Sequence, residues 1–275
     1  MIEDIIHKTS SYVWLETLKN LYKTPVNSKP RGFDCKEILG HQTRVSMEYP
    51  ILGVPERMLG YKFMCREAWW IMDGRNTVED IKDFSKAIST FSNDGYHFDG
   101  AYGPRIVDQI RYIVDTLEAD KDSRQAVLTI WRPNPRSSKD IPCTVSIQWL
   151  IRNDTIYCID NMRSSDIWLG WPYDIFNFSM LTGYIMLLLR ERGNDFLQLG
   201  DIILNAGSQH LYDTNINKAE KIVKTVKTFN VHNRFNPYEF NNPVHFKNYL
   251  KALSEKNDEI INGYGTLFGK DLYGG

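Results

Sequence analysis

A lone cysteine stands at the beginning of an apolar stretch. Cys143 follows Pro142 in KDIPCTVSIQW, where a polar loop gives way to β-branched and aromatic residues. A thiol at the start of a strand is held rigidly on one side and can be open on the other. Nearby cations would lower its pKa and make it a nucleophile. A lone cysteine is more often a small buried apolar residue, so the pattern leaves both interpretations open.

Three arginines stand at the ends of predicted elements, next to hydroxyl or glycine residues. Arg31 lies in PRGFD, Arg124 follows Ser123, and Arg163 precedes Ser164. Guanidinium groups match the oxygens of a phosphate, so these arginines would form a phosphate site if they converged. Spacing does not show convergence, and each can also be a surface cation.

Two carboxylates occur in apolar surroundings. Glu67 lies in CREAWWIMDG, and Asp174 lies where the turn LGWPY enters an apolar helix. A buried acid has a raised pKa and can transfer protons. The alternatives are an ion pair of Glu67 with Arg66 and an interaction of Asp174 with the helix dipole. His210 and Tyr212 are two residues apart, so they lie on the same face of a strand. They could bind a sugar hydroxyl, or they could be partly buried polar residues without a ligand.

Hydrophobic periodicity predicts the elements that position these side chains. Helices are expected at 3–22, 59–74, 76–84, 103–120 and 174–193, and strands at 124–131, 143–151, 155–162 and 201–212. Residues 30–49 read as a loop that leads into a strand. Because helices and strands do not alternate, the pattern predicts an α+β (mixed α/β) fold in one domain, 1–275. The glycine-rich segment 262–275 is expected to be mobile unless a ligand orders it.

The charge balance excludes several classes of protein. Lysine and arginine number 33 against 34 acidic residues, a net charge of −1, which argues against a protein that coats nucleic acid. The N-terminus lacks a signal-peptide pattern, and YIMLLL is too short to cross a bilayer. The four cysteines form no C-x-x-C, so neither a metal site nor disulfides are expected. A cytoplasmic protein with no membrane partner is predicted.

Several stretches occur in the order found in thymidylate synthases. They are ILGHQTR, REAWWIMDGRNT, GAYGPRI, DSRQAVLTIW, a PCT strand start, RSSDIWLGWPYDI and SQHLY, from about residue 31 to 215. The chain is identified as a member of the thymidylate synthase superfamily, and it most resembles the phage-type deoxycytidylate hydroxymethylases. The resemblance implies a large mixed β-sheet covered by helices. It also implies a homodimer with shared active sites, in which one face of the sheet forms the interface.

The resemblance implies a role for each residue that matches a motif. Cys143 matches the nucleophile that adds to carbon 6 of a pyrimidine, and Glu67, Tyr102 and Asp174 match its catalytic neighbours. Matches to ligands of a pyrimidine nucleoside monophosphate are Arg31, Arg124 (reaching the partner's site), Arg163, Ser164, Asp174, His210 and Tyr212. Matches to ligands of the co-substrate 5,10-methylenetetrahydrofolate are Asp166, Trp70 and Gly170.

The departures from the family pattern indicate the substrate. Asp174 stands where thymidylate synthases carry Asn, whose amide complements the uracil edge. A carboxyl group that shares a proton with the bare ring nitrogen and accepts from the amino group fits cytosine instead. Further departures are Thr144 in place of a His, Gln125 in place of a second arginine, and the C-terminal KDLYGG.

The sequence is therefore interpreted as a deoxycytidylate hydroxymethylase that makes modified DNA precursors in a bacterial or phage-infected cytoplasm. Three alternatives stay open. One is a CMP hydroxymethylase of nucleoside-antibiotic biosynthesis, since the residues around the sugar do not determine 2′-hydroxyl tolerance. Another is methylation of dUMP or dCMP, and the third is a catalytically silent nucleotide-binding or RNA-binding relative.

Overall fold

A seven-stranded mixed β-sheet forms the centre of the structure. The computed structural model describes residues 5–85, 87–231, 234–257 and 260–261. The strands are β1 (Val26–Ser28), β2 (Cys35–Ser46), β3 (Val127–Thr129), β4 (Thr144–Arg152), β5 (Thr155–Met162), β6 (Ser165–Asp166) and β7 (Gln198–Tyr212). Their order is β1-β2-β7-β5-β4-β3, and β6 pairs with β7. The pairs β5–β7 and β6–β7 are parallel, and the other pairs are antiparallel.

Helices cover one face of this sheet. They are α1 (Ser10–Lys23), α2 (Tyr61–Met72), α3 (Tyr102–Ala119), α4 (Trp171–Arg190), α5 (Ile216–Thr225) and α6 (Pro243–Glu255). Helix α4 is apolar nearly all round, and 15 of its 20 residues are buried, as expected of a helix enclosed by other elements. It packs on β5 and β7 and against α2, α3 and α6. The predicted mixed sheet with covering helices is thus confirmed.

Most predicted elements are present, and local signals define their ends. Gly74 and Gly193 have φ values of +73° and +90° just beyond α2 and α4, where a left-handed residue ends a helix. Asn153 and Asp154 have φ values of +50° and +55° in the turn between β4 and β5, as a tight hairpin requires. These features confirm the helix ends and the turn predicted from the sequence.

Two predicted boundaries are wrong. Residues 76–84 form turns rather than a helix, because residue 78 donates its backbone N–H to the carbonyl of Tyr96 and Phe98 donates to that of Asn76. The second of these long-range bonds occupies the Asn76 carbonyl, which would accept the first hydrogen bond of a helix. Helix α1 begins at Ser10, since Thr9 caps it by accepting from the N–H of Tyr12. Positions 3–4 of the predicted first helix, and the segment 262–275, lie outside the described residues.

The face of the sheet opposite the helices carries a row of hydrogen-bonded polar side chains. Gln42 donates to Asn205 at 2.8 Å, Asn205 donates to Asn161 at 3.1 Å, and Asn161 donates to Ser146 at 3.2 Å. The row crosses β2, β7, β5 and β4. It pairs polar groups that would be costly to bury singly. The use of this face in a dimer stays a prediction.

The helix-covered face holds a fully buried acid. Asp160 on β5 is fully buried, and the one contribution that opposes the effect of burial on its carboxyl group is a hydrogen bond with the Thr144 side chain. Burial therefore raises the pKa of Asp160 well above its usual value. The folded protein keeps this proton at pH values where the unfolded chain loses it. Folding stability is full below the unfolded pKa of about 4 and declines as the pH rises toward the folded pKa.

The first prediction concerns the substitution Asp160→Asn, which removes the titrating group and keeps the shape. We expect the free energy of unfolding of the variant, relative to that of the wild type, to rise between pH 5 and pH 8.5. Urea unfolding across this range measures the difference. An equal pH dependence in both proteins would show that Asp160 is ionised in the folded state.

Candidate active site

Two adjoining cavities contain nearly all the residues singled out from the sequence. The outer cleft has a volume of about 830 Å³, and the predicted residues that line it are Arg31, Cys143, Arg163, Ser164, Asp166, Gly170, Asp174, His210 and Tyr212. The inner cavity has a volume of about 180 Å³, and those that line it are Glu67, Trp70, Tyr102 and Asp174. Asp174 lines both cavities, together with Phe91 and Asp140. The carboxyl of Asp174 thus stands at the junction.

Cys143 is held at the mouth of strand β4. The backbone N–H groups of Cys143 and Thr144 donate to the Tyr102 hydroxyl at 3.2 and 3.1 Å. The Tyr102 ring stacks parallel to Phe178 of α4 at 6.2 Å. The pairing of β4 with β5 shifts register between Thr144 and Ser146, and such irregularities commonly redirect a side chain beside a functional site. Tyr102 therefore anchors the backbone that presents the thiol.

Arg163 clamps the loop that leads to the thiol. Its guanidinium donates to the carbonyls of Pro142 and Ile141 at 2.9 and 3.0 Å, and its backbone N–H donates to that of Cys143 at 2.9 Å. Its Nη2 lies 3.9 Å from the Cys143 sulfur. Arg163 also lies over the Trp131 ring at 5.8 Å. Because its side chain is partly exposed, one edge of the guanidinium stays open to the cleft.

Burial and charge act in opposite directions on the thiol. Burial raises the pKa of Cys143 to about 11, the Arg163 cation lowers it, and the carboxylates of Asp174, Asp140 and Asp166 raise it. A thiol with this pKa is mostly protonated at neutral pH. The free protein therefore stores the nucleophile as a thiol, and addition to a substrate must be coupled to loss of this proton.

Asp174 lies in the first turn of α4 with no counter-ion. Its backbone N–H donates to Gly170 at 3.0 Å, and no hydrogen bond to its carboxyl occurs among the described residues. A side chain at Gly170 would place its Cβ 3.2 Å from Asp174 Oδ2, so the glycine leaves room for the acid. Burial raises the pKa of Asp174 well above its usual value, and Asp160, Glu67 and Asp166 reinforce the shift. Burial thus favours the protonated form of Asp174.

Glu67 faces Asp174 across the inner cavity. Asn177, one turn after Asp174 on α4, donates its amide to Glu67 Oε2 at 2.8 Å. Burial raises the pKa of Glu67 to about 7, and the Asn177 hydrogen bond acts against this shift. A carboxyl group with this pKa can take up and release protons near neutral pH. The alternative ion pair with Arg66 is wrong, because Arg66 pairs with Glu255 at 2.9 Å.

Strand β6 brings Asp166 beside His210. Asp166 pairs with His210 in the parallel β6–β7 register. Its Oδ1 accepts from the N–H groups of Trp168 and Leu169 at 2.8 and 3.0 Å, whereas its buried Oδ2 has no partner among the described residues. Burial raises the pKa of Asp166, and His210 opposes this shift. One oxygen of Asp166 is therefore free to accept a hydrogen bond from a ligand.

The remaining predicted ligands lie at the outer rim. Arg31 donates to the Tyr212 hydroxyl at 3.3 Å, and its φ of +55° lies in the left-handed region that few non-glycine residues adopt. The rings of His210 and Tyr212 meet edge to face at 5.0 Å. Ser164 lines the cleft next to Arg163. These groups form a polar rim around the entrance.

Arg124 does not join this group. It is exposed before β3, and its carbonyl accepts from Gln148 at 2.8 Å, but it lines neither cavity. Its contact with a partner's site stays a prediction.

Sequence reasoning missed Phe91, Trp131 and Asn177, which line the cavities from unpredicted positions. Only Asn177 had a signal, a polar residue one turn from Asp174 in an otherwise apolar helix.

The described part of the chain has neither a metal-binding cluster nor a membrane-spanning helix. No group of three or more His, Cys, Asp or Glu residues in the described part of the chain could hold a metal ion. No described helix has both the length and the apolar character needed to cross a membrane.

The second prediction tests how Arg163 acts on the thiol. We expect Arg163→Gln to slow alkylation of Cys143 by iodoacetamide several-fold at pH 8.5, because removing the cation raises the thiol's pKa further. Mass spectrometry of the peptide that contains Cys143 gives the rate, since Cys35, Cys65 and Cys158 are at most 1% exposed. Arg152→Gln, at the far end of β4, is the matched control. Equal rates in all three proteins would contradict the electrostatic role of Arg163.

Comparisons with known proteins agree with this geometry. The family model for thymidylate synthase matches residues 12–241, which is more than half of the chain. A thymidylate synthase of Buchnera aphidicola subsp. Baizongia pistaciae (strain Bp) is 23% identical over 221 residues, covering 76% of this chain and 81% of that protein. The matched region includes both cavities. The chain therefore belongs to the thymidylate synthase family.

Proposed function

We propose that the protein is a deoxycytidylate 5-hydroxymethyltransferase, acting through one catalytic domain, 1–275. It would convert dCMP, 5,10-methylenetetrahydrofolate and water to 5-hydroxymethyl-dCMP and tetrahydrofolate. Family membership supports a folate-dependent transfer of a one-carbon unit to carbon 5 of a pyrimidine. The observation that carries the choice of cytosine is the buried carboxyl group of Asp174 at the junction of the cavities, where burial favours its protonated form.

A neutral Asp174 suits the addition step on cytosine. Cys143 first loses its thiol proton to the solvent in the cleft. As its sulfur then bonds to carbon 6, the electrons of the ring double bond move through carbon 4 to ring nitrogen 3. Asp174 gives its proton to that nitrogen and then accepts a hydrogen bond from the amino group. The interaction strengthens as charge develops, so it stabilises the transition state more than the bound substrate. Uracil already carries a proton on nitrogen 3 and presents a carbonyl beside it.

The rim supports binding of a nucleoside monophosphate. The open edges of the Arg31 and Arg163 guanidinium groups, with the Ser164 hydroxyl, suit the phosphate. His210 and Tyr212 on β7 would hold the sugar hydroxyl. We further propose that Arg124 reaches the site of the partner subunit in a homodimer.

The sheet face that carries the Gln42–Asn205–Asn161–Ser146 row would form the interface of this dimer. Near-zero net charge disfavours nucleic acid as a partner. Synthesis of modified DNA precursors in a bacterial or phage-infected cytoplasm is the role that the resemblance suggests.

The wall of the cleft offers contacts for the folate. The free Oδ2 of Asp166 can accept a hydrogen bond from a pterin N–H. Phe91, which lines both cavities, and Trp70, which lines the inner cavity, supply aromatic surface. Gly170 leaves space beside Asp174. The co-substrate supplies a one-carbon unit at the oxidation level of formaldehyde, so no external oxidant or reductant is needed for a hydroxymethyl product.

The proposed reaction ends with hydration. After tetrahydrofolate leaves, carbon 5 of the pyrimidine carries an exocyclic methylene. Water adds its oxygen to this methylene, the electrons return through the ring, and the bond between carbon 6 and the sulfur of Cys143 breaks. Glu67 takes the proton that the water releases, and the thiolate finally regains a proton. A pKa of about 7 suits Glu67 to this transfer.

Methylation is the second candidate function, because the relative from Buchnera is a thymidylate synthase. In that reaction a hydride from the folate reaches the methylene and dihydrofolate forms. Action on CMP is the third candidate, since the residues near the sugar do not discriminate between ribose and deoxyribose. The paired Cys143 and Arg163 argue against a catalytically silent relative.

The third prediction identifies the product. We expect dCMP with methylenetetrahydrofolate to give a hydroxymethyl product without dihydrofolate, and Cys143→Ala to abolish release of the hydrogen on carbon 5. Mass spectrometry of the nucleotide and absorbance of the folate measure these outcomes, with CMP and dUMP assayed in parallel. A methyl product or dihydrofolate formation would overturn the hydroxymethylase proposal.

The fourth prediction concerns base selection. Asp174→Asn is expected to shift the ratio of kcat/KM toward dUMP by roughly 10- to 100-fold, since an unmatched buried hydrogen-bonding group costs about 1–3 kcal/mol. Competition assays with dCMP and dUMP measure the ratio. Asp166→Asn is the control, because we expect it to lower both rates without changing the preference. Faster turnover of dUMP by the wild type would refute the assignment of Asp174.

A further inference from the structure

The inner cavity contains a buried side chain that has no assigned role. Asn177 of α4 is 4% exposed and lines the cavity with Glu67 and Asp174. Its amide nitrogen is used by Glu67. Its carbonyl oxygen, Oδ1, has no hydrogen-bond partner among the described residues. A buried acceptor without a donor is rare in folded proteins and commonly marks an ordered water.

The surroundings can hold such a water. The cavity has a volume of about 180 Å³, and a water molecule occupies about 30 Å³ in the liquid. The Glu67 and Asp174 carboxyls supply further partners, so a water at Asn177 Oδ1 could make the three hydrogen bonds that are usual for a buried water. It would lie beside Asp174, where the reacting edge of the base is proposed to bind.

We propose that Asn177 is a positioning residue, whose amide fixes the Glu67 carboxyl and whose Oδ1 holds a water between Glu67 and Asp174. The part played by this water in hydration rests on the proposed function. The fixing of Glu67 does not, because in this proposal ionised Glu67 is also the base that accepts the proton from carbon 5, and that transfer precedes either fate of the one-carbon unit. Asn177 acts on the substrate only through its two partners.

Charges around Glu67 make the amide hydrogen bond important. The titratable groups that face Glu67 are Asp174 and Tyr173 of α4, Tyr102 of α3 and the loop residue Asp140. None is a cation. Among the described residues, the Asn177 amide is therefore the one group seen to stabilise ionised Glu67. Removing it raises the pKa of Glu67, and the ionised base then forms only at higher pH.

The test is exchange of the hydrogen on carbon 5 without methylenetetrahydrofolate, followed with nucleotide tritiated at that carbon. Both dCMP and dUMP are used, so the result does not depend on which nucleotide is the true substrate. In Asn177→Leu we expect the rising limb of the plot of exchange rate against pH to move to higher pH by about one unit. Exchange should then be roughly tenfold slower than in the wild type at pH 6.5. At pH 8.5 the decrease in rate should be much smaller. Asn177→Asp, which keeps the shape, should shift the limb at least as far through like-charge repulsion.

Ser179→Ala is the matched control. Its fully buried hydroxyl donates to the Ile175 carbonyl at 2.7 Å within α4 and does not line the cavity. A loss of exchange by the same factor at every pH in both Asn177 variants would reduce Asn177 to a structural residue and overturn the proposal. The proposal would also be overturned if the rising limb of the exchange profile were unshifted in the isosteric Asn177→Asp variant. A methyl product with a shifted limb would refute the hydroxymethylase and leave the role of Asn177 intact.

Discussion

The enclosure of helix α4 determines the electrostatics of the site. The helix packs between the sheet and the four helices α1, α2, α3 and α6, so polar groups on its first two turns have little access to water. Asp174 and Asn177 lie one turn apart on this segment and face the inner cavity. Burial is the largest cause of the raised pKa of Asp174 and of Glu67. The same packing that stabilises the fold thus favours the protonated forms of these two acids.

Arg163 provides the opposing charge on the other side of Asp174. It binds the carbonyls of the loop before Cys143 and lies near the sulfur. The cavities therefore divide into an outer part, where Arg31 and Arg163 attract an anion, and an inner part with acids and no cation among its lining residues. A nucleotide matches this division, since its phosphate is charged and its base is nearly neutral. This division underlies the proposal that such a ligand binds with its base inward.

Sequence reasoning succeeded where the signal is local and failed where distant segments compete. Gly74 and Gly193 end their helices as predicted because a left-handed residue is a local requirement. Residues 76–84 have a helical pattern, yet bonds to Tyr96 and Phe98 hold them in turns. Arg66 was weighed as a partner for Glu67, but it pairs with Glu255 from α6. No local pattern reveals contacts of this kind.

The sequence by itself determined the mixed fold class, the family resemblance and the identity of most candidate residues, because motif types and hydrophobic periodicity are properties of short segments. Only the tertiary structure decided that these residues converge, that Arg124 lies outside the cleft of its own chain, and that Asp174 has no cation beside it. Convergence depends on the parallel pairing of β6 and β7 and on the packing of α4. Protonation depends on burial, which is a property of the whole fold and of no single segment.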